Sequence, residues 1–173
     1  MNKSAFATLL TVILLAVSAF PATAGAERIP VTGSCELIGA GGWNMDHDPD
    51  FRLWENGGIE HMRNLIFMNY CDFSDDRLDG YTLALYNGDW FWPKEGAYLG
   101  IDNSHGYSAD EEGNPTELWA VSAEGHLDRD WNYTGQVLYK GRGENQGLLA
   151  KLTQTNNPDG TYYLEGVLII PGN

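Results

Sequence analysis

The sequence predicts an all-β fold: a closed or nearly closed antiparallel barrel of about eight strands, with a β-sandwich as the alternative. Three observations carry this. Apolar residues alternate with period two through several segments, as in Tyr81, Leu83 and Leu85 against Thr82, Ala84 and Tyr86. Turn-forming pairs such as Asn87-Gly88 and the run Asn157-Pro158-Asp159-Gly160 punctuate those segments. No sustained helical period follows the first two dozen residues.

Residues 1–24 read as a signal peptide rather than as part of the fold. Lys3 supplies a short basic start, Ala5 to Phe20 an apolar run, and Ala22-Thr23-Ala24 a small-x-small cleavage pattern. The run is shorter than a spanning helix requires. Residues 25–173 then form one β-barrel domain, long enough to bury its own core. The expected location is secreted or periplasmic. There Cys35 and Cys71 meet an oxidising environment together, and a disulfide between them is expected.

The net charge of −14 becomes one unit more negative on cleavage, because the signal carries Lys3 and no acid. An acidic chain without a basic stripe repels phosphate backbones and anionic headgroups, so neither nucleic acid nor, after signal cleavage, a membrane surface is an expected partner. A homo-oligomer is left open.

Taken in order, Ile29 to Ile38 is the first strand, with Pro30 near its start. Gly39 to Asp50 reads as a loop, and Phe51 to Glu55 as a short strand ended by Asn56-Gly57-Gly58. Ile59 to Cys71 is the longest strand. Regular alternation would put Ile59, His61, Arg63, Leu65, Phe67, Asn69 and Cys71 on one face. Tyr81 to Tyr86 follows, with a hairpin turn expected at Asn87-Gly88 and a return strand through Trp90 and Trp92. Ala97 to Ile101 is short and apolar, Asp102 to Thr116 reads as a long acidic loop, and four strands follow: Glu117 to Ala123, Trp131 to Lys140, Gly147 to Thr155 and Thr161 to Ile170. The late strands are apolar on both faces, which favours closure with outer cover. A lipid-facing barrel is disfavoured because Lys140 and Lys151 interrupt these strands.

Asp75-Asp76-Arg77-Leu78-Asp79-Gly80, Trp90, Gly141-Arg142-Gly143, Gly147-Leu148, Glu165-Gly166 and Pro171-Gly172 resemble a loose family of small exported bacterial β-barrel proteins. That family is similar in build to allene oxide cyclase and dirigent-type barrels. The resemblance implies the barrel and no catalytic residue.

For function, Trp90 and Trp92 on one strand face offer flat rings for stacking on a sugar or another small ligand. Arg63 and Glu165 are charges within apolar strands; facing inward, they would pair and orient a polar ligand. His61, two residues from Arg63, would complete a lumen acid/base group in a cyclase- or isomerase-like enzyme. The preferred expectation is non-catalytic: an exported barrel that binds a small-molecule or carbohydrate-like ligand or serves as an interaction module. A structural surface component is a further alternative. No cofactor is expected. No metal is expected either, since the acidic loops Asp46 to Asp50 and Asp102 to His105 lack the oxygen-ligand spacing of a calcium loop.

Overall fold

The computed structural model describes residues 25–40, 50–91, 99–128, 132–157, 159 and 161–172. The signal-peptide segment, Trp43, Asp46 to Asp48, Trp92 and Trp131 lie outside the described residues.

Among the described residues there are nine strands: β1 (Glu27–Ala40), β2 (Arg52–Asn56), β3 (Ile59–Phe73), β4 (Gly80–Phe91), β5 (Leu99–Ala109), β6 (Pro115–Leu127), β7 (Tyr133–Gly141), β8 (Leu149–Asn156) and β9 (Tyr162–Ile170). All pairings are antiparallel, in the order β1-β9-β8-β7-β6-β5-β4-β3-β2, and β1 also pairs with β3. That last pairing closes eight strands into a barrel and leaves β2 as an added edge strand. Closure removes the exposed backbone edges that an open sheet would leave.

The seam is where β1 changes partners. Its first part pairs with β9 from Glu27 to Cys35, and its second part with β3 from Gly33 to Ala40. Cys35 and Cys71 face one another in that register, Cα atoms 4.1 Å apart, and form the expected disulfide. The chain is thus tied covalently at the join that makes the sheet a ring.

Beyond the seam, β2 takes the place of β1 beside β3. The β2–β3 hairpin turns on Gly57 and Gly58, whose φ values of 63° and 81° are those of the tight turn that glycine pairs favour.

Three expectations about local structure are corrected. Asn87-Gly88 makes no hairpin: β4 runs through it, with Asn87 opposite Asn103 and Gly88 opposite Asp102. The acidic loop begins later than expected, because residues 102–109 belong to β5 and pair with both β4 and β6. Its polar residues suit a strand because the lumen side is not uniformly apolar.

The third correction concerns the faces of β3. Its pairing to β4 shifts between Met62 and Leu65, and Asn64 takes a left-handed φ of 59°. Such a bulge inserts a residue and reverses which side chains point inward. Leu65, Phe67, Asn69 and Cys71 therefore line the lumen with Met62, while His61 and Arg63 do not.

One end of the barrel is sealed. Val31, Cys71, Phe73, Leu78, Trp119, Tyr139, Leu152, Leu164 and Leu168 form a continuous buried cluster there. The 3₁₀ turn Asp76–Leu78 lays Leu78 over that end, and the Trp119 indole N–H donates to the Arg77 carbonyl at 2.7 Å. Asp75 accepts both guanidinium N–H groups of Arg77, at 2.8 and 2.6 Å, and that bond holds its carboxyl below the usual range.

Candidate functional site: the open half of the lumen

The described residues leave the other half of the barrel unfilled. A cavity of about 500 Å³ runs up the lumen from the disulfide and opens where β4, β6 and β8 end and β5, β7 and β9 begin. Its lower wall is Cys71, Asn69, Thr82, Ala84, Val137 and Tyr139; its upper wall is Tyr86, Trp90, Asp102, Tyr133 and Tyr162.

Paired glycines make room for the upper rings. A Cβ on Gly88 or Gly100 would fall 2.4 or 2.3 Å from the Trp90 indole, so that ring lies flat across both strands. Gly125 gives the same space to the Tyr133 phenol, a Cβ there lying 2.2 Å from the hydroxyl. A side chain at any of these glycines would push an aromatic ring off the wall. Trp90 stacks on Tyr86 with centroids 6.1 Å apart, and Tyr133 meets Tyr162 at 6.3 Å.

Asp102 sits between these two aromatic pairs. It accepts from Tyr86 Oη at 3.2 Å and from Tyr133 Oη at 2.9 Å, one hydroxyl on each carboxylate oxygen. Burial raises its carboxyl above the ordinary value, against the two phenol hydrogen bonds and the charge of nearby His126. The same burial, together with the Asp102 charge, pushes the Tyr133 and Tyr162 hydroxyls up, so both remain donors. Among the described residues lining the lumen, Asp102 is the one acidic or basic side chain. Deeper in the wall, the Asn69 side-chain oxygen is buried and accepts no hydrogen bond among the described residues.

Of the residues singled out in the sequence, Trp90 lines this cavity and Trp92 lies outside the described residues. Arg63, His61 and Glu165 do not converge. His61 Nδ1 and Arg63 Nη2 both reach Asp89 Oδ1, at 2.7 and 2.6 Å. Trp54 of β2 covers that group, its ring 5.0 Å from His61 and 5.5 Å from the guanidinium carbon. Burial works to raise the Asp89 carboxyl, but the hydrogen bonds from His61 and Arg63 outweigh it and hold it low.

This cluster borders a second hollow of about 210 Å³ with Asn87, Ile101, Asn103 and Asp102, the last of which also lines the lumen cavity. Glu165 is exposed, since β9 turns Tyr162 and Leu164 inward. The expected Arg63–Glu165 pair is therefore replaced by Arg63–Asp89.

Asp102, Tyr86 and Tyr133 were missed because Asp102 fell in a segment read as loop. The available signal was the spacing of Gly100, Asp102, Ser104 and Gly106, small or polar at every second position. That pattern suits a lumen wall facing large rings.

A third hollow, about 610 Å³, lies over the sheet among Ile66, Leu83, Leu85, Tyr107 and Leu138, with Lys140 and Arg142 at its side. Among the described residues no group of three or more His, Cys, Asp or Glu could hold a metal ion, and no helix is long and apolar enough to cross a membrane. No family profile and no curated protein matches the chain.

Proposed function

We propose that the protein is an exported, non-catalytic barrel that binds a small-molecule or carbohydrate-like ligand in the open half of its lumen. One observation carries the reading: an unfilled cavity of about 500 Å³ with aromatic walls and a few convergent polar groups, the usual anatomy of a ligand pocket. Export, with residues 1–24 as the signal and a secreted or periplasmic destination, belongs to the same proposal. The Cys35–Cys71 disulfide is consistent with an oxidising compartment. Kinship with allene oxide cyclase and dirigent-type barrels is likewise proposed, supported by the eight-strand closed architecture.

The test is a binding screen of aromatic alcohols, aromatic amines and simple glycosides by ligand-observed NMR. Hits should lose affinity by about tenfold or more in Trp90→Ala, since stacking on one large ring contributes on that order. Binding that persists in a folded Trp90→Ala/Tyr133→Ala double variant would remove the lumen from consideration.

A cyclase- or isomerase-type reading would have to use Asp102 in place of His61, Arg63 and Glu165, because Asp102 is the ionising group that faces the cavity. The interaction-module reading rests on the hollow at Leu83, Leu85 and Leu138, an apolar stretch of the outer sheet face. If a homo-oligomer forms there, Leu85→Lys shifts sedimentation to the monomer.

A further inference from the structure

We infer that the lumen ligand is a small organic cation, a protonated amine carried on an apolar body, held by Asp102 within the rings of Tyr86, Trp90, Tyr133 and Tyr162. This rests on the lumen being a binding site, as proposed above, and adds the chemical class of what enters it.

Three observations lead to it. The described lumen lining holds one carboxylate and no Lys, Arg or His, and His126, whose charge also acts on Asp102, is exposed and does not line the cavity. A buried carboxylate without a counter-charge is costly, and an incoming ammonium supplies the missing charge together with N–H donors. Tyr86 and Tyr133 each donate to one Asp102 oxygen and the Gly125 backbone N–H donates as well, which still leaves acceptor capacity on a carboxylate with about four lone-pair sites.

The flanking rings favour the same ligand. Tyr86 and Trp90 stack on one side of Asp102, and Tyr133 and Tyr162 meet on the other. Aromatic faces carry negative quadrupole density and attract a cation, most strongly at tryptophan. The lower wall of Ala84, Val121 and Val137 would then take the apolar body. The buried Asn69 oxygen, which accepts nothing from the described residues, offers a second acceptor for a donor at the far end of the ligand. An anionic ligand would meet Asp102 with like charge and find no donor of opposite charge in the lining.

The experiment uses the mature exported chain with its disulfide intact and three probes of one shape: phenethylamine, phenethyl alcohol and hydrocinnamate, titrated by calorimetry at neutral pH. The expected result is that the amine binds about tenfold or more tighter than the alcohol, as a charge-assisted hydrogen bond allows. Hydrocinnamate should bind weakest, and Asp102→Asn should bring amine and alcohol to parity. Equal affinity of amine and alcohol for the wild type would overturn the cation inference while leaving the lumen site standing. So would tighter binding of hydrocinnamate. Failure of all three probes, together with failure of the wider screen, would instead sink the lumen reading itself. Should Asp102→Asn not fold, the wild-type ratio alone decides.

Discussion

The two ends of this barrel are built from the same alternation and reach opposite outcomes. At the sealed end the inward residues are Leu152, Leu164, Leu168, Val31 and Trp119, each 2% exposed or less, and a 3₁₀ turn folds Leu78 over them. At the open end the inward residues are rings seated on glycines around a carboxylate, and space remains between them. Filling a barrel stabilises it; leaving half of it unfilled forgoes dispersion contacts and apolar burial that the same strands could have supplied. The difference teaches that stability and recognition are divided along the barrel axis, with the disulfide near the boundary.

That division can be broken from the sealed side first. Trp119→Ala should cost about 3–5 kcal/mol, the range for deleting a large buried ring, read as a drop in the urea midpoint at unchanged slope. Binding at the lumen mouth should persist in whatever fraction stays folded. Removing the disulfide as Cys35→Ala/Cys71→Ala should cost about 4 kcal/mol, given a sequence separation of 36 residues. An effect far below that would mean the β1–β3 seam holds without its covalent tie.

At the open end, smaller effects are expected. Tyr133→Phe removes one donor from Asp102 and should cost about 1 kcal/mol in stability. The Asp102 carboxyl should then titrate still higher in an NMR pH series. The sign of its pH dependence is set by that raised pKa. The folded state holds the Asp102 proton more tightly than the unfolded chain, whose value is near 3.8. Its penalty is therefore absent below that value, grows as pH rises, and is complete above the folded pKa. Asp102→Asn should accordingly gain on the wild type as pH rises through that window. Tyr86, Tyr133, Tyr162 and His126 are the other titratable groups acting on it.

The outer wall should respond least. Glu165→Gln should change stability by less than about 0.5 kcal/mol and leave ligand binding untouched. Asp89→Asn loses a partly exposed pair with Arg63 and His61, worth about 1 kcal/mol or less. Because the Asp89 carboxyl is held low, that contribution is present near neutral pH and disappears as pH falls through its folded pKa.

The sequence made the barrel legible where alternation was regular. Tyr162 to Ile170 and Tyr133 to Gly141 match the expected strands closely. The pairing of Cys35 with Cys71 followed from chemistry alone. Two physical features hid the site. The bulge at Asn64 reverses the inward set of β3, so one unbroken alternation gave His61 and Arg63 the wrong face. Gly88, one of the glycines that seat Trp90, follows Asn87 in a turn-like pair, so Asn87-Gly88 read as a hairpin, and the polar composition of residues 102–109 read as loop. A local pattern cannot distinguish a glycine that bends the chain from one that makes room for a ring supplied by another strand.

The most direct measurement is a site-resolved titration of the indole N–H signals in a ¹H–¹⁵N spectrum, using phenethylamine, phenethyl alcohol and a methyl glucoside. The Trp90 resonance should move with at least one of the three while Trp119 at the sealed end stays fixed. A Trp90 signal unmoved by every probe, or one that shifts only in step with Trp119, would contradict the division between a sealing half and a binding half.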